Sequence, residues 1–161
     1  MKKSAFCLAV LTAFVLLAGC SVQYHAVLYD DANDWIRPEF AAENPTRGAY
    51  YEDGSKVAET EPAARTFLIE SEEACREILA ADLQELEVDF DQHMLVIYTF
   101  TTIYHRDNWL TEVREEDGVL RIVYQMEKKY GIGDASRPWQ RWFVIRLDRV
   151  SVRTAIIAEK S

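Results

Sequence analysis

The sequence predicts an α+β domain, and three observations carry that prediction. The second half of the chain holds short runs of β-branched and aromatic residues separated by turn signals, the pattern of a mostly antiparallel sheet. One strongly patterned helix stands just ahead of them, near residues 71–81. The whole chain has 161 residues, 49% hydrophobic and 28% charged, which is one ordinary domain with enough apolar side chain for a core.

In chain order, the first feature is an address and not a fold element. Lys2 and Lys3 give a positive start, and Ala5 to Ala18 is a fourteen-residue run interrupted only by Thr12. That is the length of a secretory signal and short of the ~20 apolar residues a membrane span needs. The run ends in Leu17-Ala18-Gly19-Cys20, which resembles the lipobox of bacterial lipoproteins. The resemblance implies that residues 1–19 leave as a signal peptide and that the Cys20 thiol carries a diacylglyceryl group. Each acyl methylene contributes about 0.8 kcal/mol when buried, so two chains anchor stably where one does not. The implied location is the extracytoplasmic side of a bacterial cell membrane or outer membrane. Removing residues 1–19 takes away two of the 18 basic residues and leaves 27 acids against 16 bases, a net of −11. Cys7 leaves with the signal, Cys20 is taken by lipid and Cys75 stands alone, so an ordinary core and no disulfide holds the domain.

Residues 20–64 read as the N-terminal segment of the mature domain and residues 65–161 as its α+β core. Val22, Tyr24, Val27, Leu28 and Tyr29 place the start of folded structure close to Cys20, since the segment lacks the Gly/Ser bias of a flexible tether. Trp35, Ile36 and Phe40 fit a short helix stopped by Asn44-Pro45, with Pro38 inside it. Asp53-Gly54 is a hairpin signal between weakly apolar flanks, residues 56–64 read as loop, and Arg65 to Ile69 reads as a short strand. Ser71 is a sound N-cap for the helix, Glu72 and Glu73 suit its positive end, and Ala74, Cys75, Ile78 and Leu79 make one apolar stripe. Strands follow at 94–100, at 110–114 and 119–125 joined across Asp117-Gly118, at 142–147 and at 150–157. Short, closely spaced and mostly hairpin-linked strands predict an antiparallel sheet with the helix covering one face.

Catalytic motifs are scarce. There is no phosphate-cradling glycine loop, no G-x-S-x-G elbow and no H-E-x-x-H. Cys75 shares the helix stripe with Ile78 and Leu79 and reads as a core thiol. Asp89, Asp91 and His93 alternate as a cation site on an extended strand would, but the preferred reading is a polar turn before the Met94 strand with no metal site. His25 and His105 lack ligand-spaced neighbours, and the run from Asp30 to Asp34 lacks the glycine and distal Glu of a calcium loop. No metal or other cofactor is expected. With 27 acids, any one carboxylate pair is uninformative about glycoside hydrolysis. Tyr124, Tyr130, Trp139 and Trp142 fit a sugar-stacking platform, or more simply a β-sheet core.

Charge is distributed unevenly. From Cys20 to Glu127 there are 8 basic and 24 acidic residues, whereas Lys128 to Ser161 holds 8 basic and 3 acidic. Either Arg141, Arg146 and Arg153 pair internally with neighbouring acids, which is the preferred reading, or this part forms a basic face for an anionic partner. The stretch from Glu127 to Pro138 is longer than a hairpin requires. It makes Lys128, Lys129, Tyr130, Arg137 and Arg141 the candidate partner-binding residues. The overall acidity argues against nucleic acid as the partner.

The succession Val88-Asp89-Phe90, Met94-Leu95-Val96-Ile97-Tyr98, a hairpin, and Trp142-Phe143-Val144-Ile145 resembles the C-terminal domain of the accessory lipoprotein subunit of a cell-surface protease complex, over about residues 65–157. The resemblance implies a small β-rich, non-catalytic module and supplies no catalytic residue. The expected function is therefore a membrane-anchored, non-enzymatic protein-binding or complex-assembly module, whose partner is an envelope protein or anionic polymer. A binder or hydrolase of a cell-envelope polymer or carbohydrate is the alternative.

The mature protein is expected to begin at Cys20 and to partition into detergent with an acylated N-terminus. Intact-mass analysis of the processed chain reads this directly, and an unmodified N-terminus would refute it.

Overall fold

A strand that does not alternate apolar with polar residues has two faces to bury. Met94-Leu95-Val96-Ile97-Tyr98 and Trp142-Phe143-Val144-Ile145 are two such runs, and they lie side by side in the computed structural model, which describes residues 23–81, 84–127 and 135–160. They belong to β3 (His93–Thr102) and β6 (Trp139–Asp148), paired antiparallel along their whole length with Val96 opposite Ile145. β1 (Ala26–Tyr29) flanks β6, and β2 (Ala64–Ile69) flanks β3, both antiparallel, which completes a four-stranded sheet in the order β1-β6-β3-β2.

The two-residue period of a strand sends Leu95, Ile97 and Val144 to one face of this sheet and Met94, Val96 and Ile145 to the other. Over the first face lies α2 (Glu72–Ile78), whose Cys75 and Ile78 pack with Ile36, Leu79 and Leu86. Over the second lies a three-stranded sheet in the order β4-β5-β7, formed by β4 (Asn108–Glu116), β5 (Val119–Met126) and β7 (Thr154–Glu159). Its Val113, Leu120, Ile122 and Ala155 close the second core, and Tyr124 meets Phe143 edge-on at 5.3 Å. The domain is thus α+β in three layers: helix and loops, central sheet, outer sheet.

α2 begins where the sequence places it, with the Ser71 hydroxyl accepting from the Ala74 amide at 3.2 Å. It stops at Ile78, short of the expected Ala81. Leu79 turns extended and bridges Ile36, the Ala80 amide donates to the carbonyl of Trp35 at 2.7 Å, and the Arg37 amide donates to that of Ile78 at 2.9 Å. Tertiary pairing takes the backbone groups that another helical turn would use. The expected helix across Trp35, Ile36 and Phe40 is split for the same reason. A 3-10 turn at Asn33–Trp35 gives way to extended Ile36, and α1 (Pro38–Glu43) starts afresh with Pro38 in its first turn, where a missing amide costs nothing.

The last strand is the exception in a mostly antiparallel arrangement. β7 runs parallel to β5, with Ile122 opposite Ile157, and starts at Thr154 instead of Val150. β6 lies between them in sequence but belongs to the other sheet, so residues 149–153 cross from one sheet to the other and the returning chain runs in the direction of β5. Residues 23–64 share in the same core, since β1 is a strand of the central sheet and Ala32, Ile36, Ala49 and Val57 are buried.

The β4–β5 hairpin turns on Asp117 and Gly118 with φ of 54° and 76°, the left-handed pair that a two-residue turn matched to strand twist requires. Gly118→Ala is expected to lower unfolding free energy by about 1 kcal/mol, because a Cβ is disfavoured at that φ. Asp117→Asn, which tolerates the same conformation, should leave it within about 0.5 kcal/mol. Urea titrations of the two variants make the comparison.

Candidate functional site

A guanidinium withdrawn from water needs partners for its donors. Arg141, in β6, is only 5% exposed. Its Nε donates to the carbonyl of Asp30 at 2.9 Å, Nη1 to the carbonyls of Arg106 at 2.8 Å and Tyr104 at 3.3 Å, and Nη2 to the Asp30 carboxylate at 3.3 Å. The same Asp30 oxygen accepts from the Asn108 amide at 2.7 Å. One side chain therefore fastens the exit of β1 and the connection from β3 to β4 onto the central sheet.

Three pairs of side chains stand on this frame at one end of the domain, called here the loop end. The His105 ring stacks on Trp139 with centroids 4.7 Å apart and planes 14° apart. The Arg106 guanidinium lies 4.2 Å from the centre of the Tyr104 ring, and that of Arg137 lies 5.8 Å from the centre of Tyr50. Backbone bonds join the segments that carry them. The Tyr50 amide donates to the carbonyl of Pro138 at 3.1 Å, that of Ala135 to Ile103 at 2.7 Å, and that of Glu127 to Asp107 at 2.9 Å. A polar cleft of about 150 Å³ opens beside Asp31, His105, Asp107 and Trp139. An apolar groove of about 340 Å³ lies over Phe100, Ile103, Tyr124 and Met126. Burial, reinforced by nearby Glu159, lifts the Tyr98 and Tyr124 phenols above their ordinary range, so both stay protonated at neutral pH. Flat rings backed by guanidinium groups are suited to recognising planar or carboxylate groups by contact.

Among the sequence-predicted site residues, Cys20, Lys128, Lys129 and Tyr130 lie outside the described residues. Arg137 is exposed and belongs to the loop end. Arg141 is buried with its donors spent on the fold, so it is withdrawn from the basic face and assigned a structural role. Its neighbours in the basic part of the chain behave similarly. Arg146 bonds the carbonyl of Glu87 and pairs with the Glu87 carboxylate, Arg149 bonds the carbonyls of Glu70 and Phe90, and Arg153 bonds that of Asp117. Internal pairing is the preferred reading, but its acceptors are mostly backbone carbonyls, which no count of charged residues reveals.

The Asp89 segment is a turn. The Asp89 carboxylate accepts from the Asp91 amide and from Gln92 Nε2, both at 3.0 Å, while the Asp89 amide donates to His93 Nδ1. Among the described residues no cluster of three or more His, Cys, Asp or Glu is arranged to hold a metal ion. Cys75 is buried, and desolvation pushes its thiol up to about 11. Tyr124 and Trp142 are core residues, leaving Trp139 as the described member of the aromatic set at the surface cleft. Tyr50, Tyr104 and Arg106 join the loop end only in the folded chain, and so does His105, whose sequence neighbours are not spaced as ligands. Tyr104-His105-Arg106 is a short alternation of ring and base ahead of β4, the one local signal that pointed to them.

Replacing Arg141 with Met should cost about 3 kcal/mol of stability, since it takes the donor from three carbonyls and leaves the Asp30 carboxylate with Asn108 alone. Arg141→Lys should recover little, because an ammonium lacks the planar fork. Thermal and chemical unfolding check both. No family model, no curated protein and no solved structure matches the chain.

Proposed function

We propose that the protein is a lipid-anchored extracytoplasmic lipoprotein that works as a non-enzymatic protein-binding or complex-assembly module, with the loop end as its recognition surface. The observation that carries this reading is the convergence of three preset side-chain pairs, His105 on Trp139, Arg106 on Tyr104 and Arg137 on Tyr50, at one end of the central sheet, on segments tied together by backbone bonds. Tyr, Trp and Arg are the residue types that dominate binding hot spots, and side chains already held in place lose little freedom when a partner arrives. The partner that fits is an envelope protein presenting carboxylates, which the guanidinium of Arg137 meets directly.

The test begins with cross-linking in the cell envelope to identify the partner, followed by binding kinetics with purified components. Tyr50→Ala is expected to speed dissociation about tenfold, the effect of losing about 1.4 kcal/mol at an interface anchor. Arg137→Glu is expected to slow association and to reduce its salt dependence without moving the melting temperature. Turnover of peptidoglycan or glycan by residues 21–161, abolished by a single carboxylate substitution, would replace this reading with that of a hydrolase.

A further inference from the structure

The chain is fastened to the body of the domain as far back as Gln23. Gln23 bridges Arg114, the Tyr24 amide donates to the carbonyl of Val113 at 3.1 Å, and the Asp148 amide donates to the carbonyl of His25 at 3.2 Å. These residues lie where β6 ends and β3 begins, beside the Asp117-Gly118 turn and the 149–153 crossover. The loop end lies at the other extremity of the same strands, where Thr102 pairs with Trp139. Ten residues of extended strand separate the two ends by about 30 Å.

Only residues 21 and 22 stand between Cys20 and the fastened Gln23, and whatever their conformation the three Cα–Cα steps reach no further than about 11 Å. That reach is a third of the length of β6. We infer that the end of the domain formed by His25, Asp117-Gly118 and residues 149–153 is apposed to the lipid headgroups, and that the loop end faces away from the bilayer toward a partner outside that membrane. The inference rests on the lipidation of Cys20 proposed above.

Two single substitutions read the orientation. Ser151 is exposed on the crossover and Ser136 is exposed beside Arg137 at the loop end. The lipidated mature protein carrying Ser151→Cys or Ser136→Cys is labelled with a donor fluorophore at neutral pH, where buried Cys75 stays unreacted. Each is then reconstituted into phosphatidylethanolamine/phosphatidylglycerol vesicles containing a headgroup-labelled acceptor lipid. Energy transfer from position 151 is expected to exceed that from position 136 about threefold, given their separation along strands of ~30 Å. Equal transfer, or more from position 136, overturns the orientation. A Cys20→Ser chain supplies the control. If it fails to join the vesicles the anchor reading stands whatever the orientation result, and if it joins them as well as the parent, the anchor and the orientation built on it both fall.

Discussion

The ladder between β3 and β6 takes apolar side chains out of water on both faces, so each face needs a cover of its own. A sheet with one wet face stays folded with a single partner layer, whereas this one exposes Leu95, Ile97 and Val144 if α2 is lost and Met94, Val96 and Ile145 if the β4-β5-β7 sheet is lost. The three-layer order follows from that demand. So does the direction of β7, which returns beside β5 because β6 is committed to the middle layer.

From this doubly buried strand, arginine is what the chain uses to reach the irregular segments beside it. Arg141 and Arg146 reach from β6 to carbonyls of distant loops, and Arg37, Arg65, Arg149 and Arg153 do the same for Arg76, Pro45, Phe90 and Asp117. Irregular segments leave carbonyls without ladder partners, and a guanidinium with five donors in a fixed plane satisfies several at once. Among the described residues of the basic last part, Arg141, Arg146, Arg149 and Arg153 are therefore mortar between loops and sheet.

That mortar bears on function through rigidity. Loops over a sheet edge are ordinarily the mobile part of a domain, and mobility raises the entropic cost of binding. Here the segments around residues 30, 50, 104 and 139 are tied to one another and to β6, so the rings of Tyr50, Tyr104 and Trp139 are held with their basic or imidazole partners before any ligand arrives. The recognition role proposed for this surface draws on that preset arrangement.

Much of this fold was legible from local signals. Ser71 and the stripe that follows it mark α2, Asp117-Gly118 marks its hairpin, and the unbroken runs at 94–98 and 142–145 mark strands with no wet face. The end of α2, the split at Ile36 and the parallel β7 were not legible, because each depends on which backbone groups meet across more than thirty residues of chain. The site divides in the same way. Loop length and charge single out Arg137, which is exposed at the loop end, while His105 joins that end only when Trp139 is laid against it, and Arg141 leaves it because its acceptors include main-chain carbonyls 35 to 111 residues away. The sequence by itself determined the elements, since caps, turns and apolar period act within a few residues. Tertiary structure decided which side chains are exposed and which are spent, since that depends on contacts no local pattern encodes.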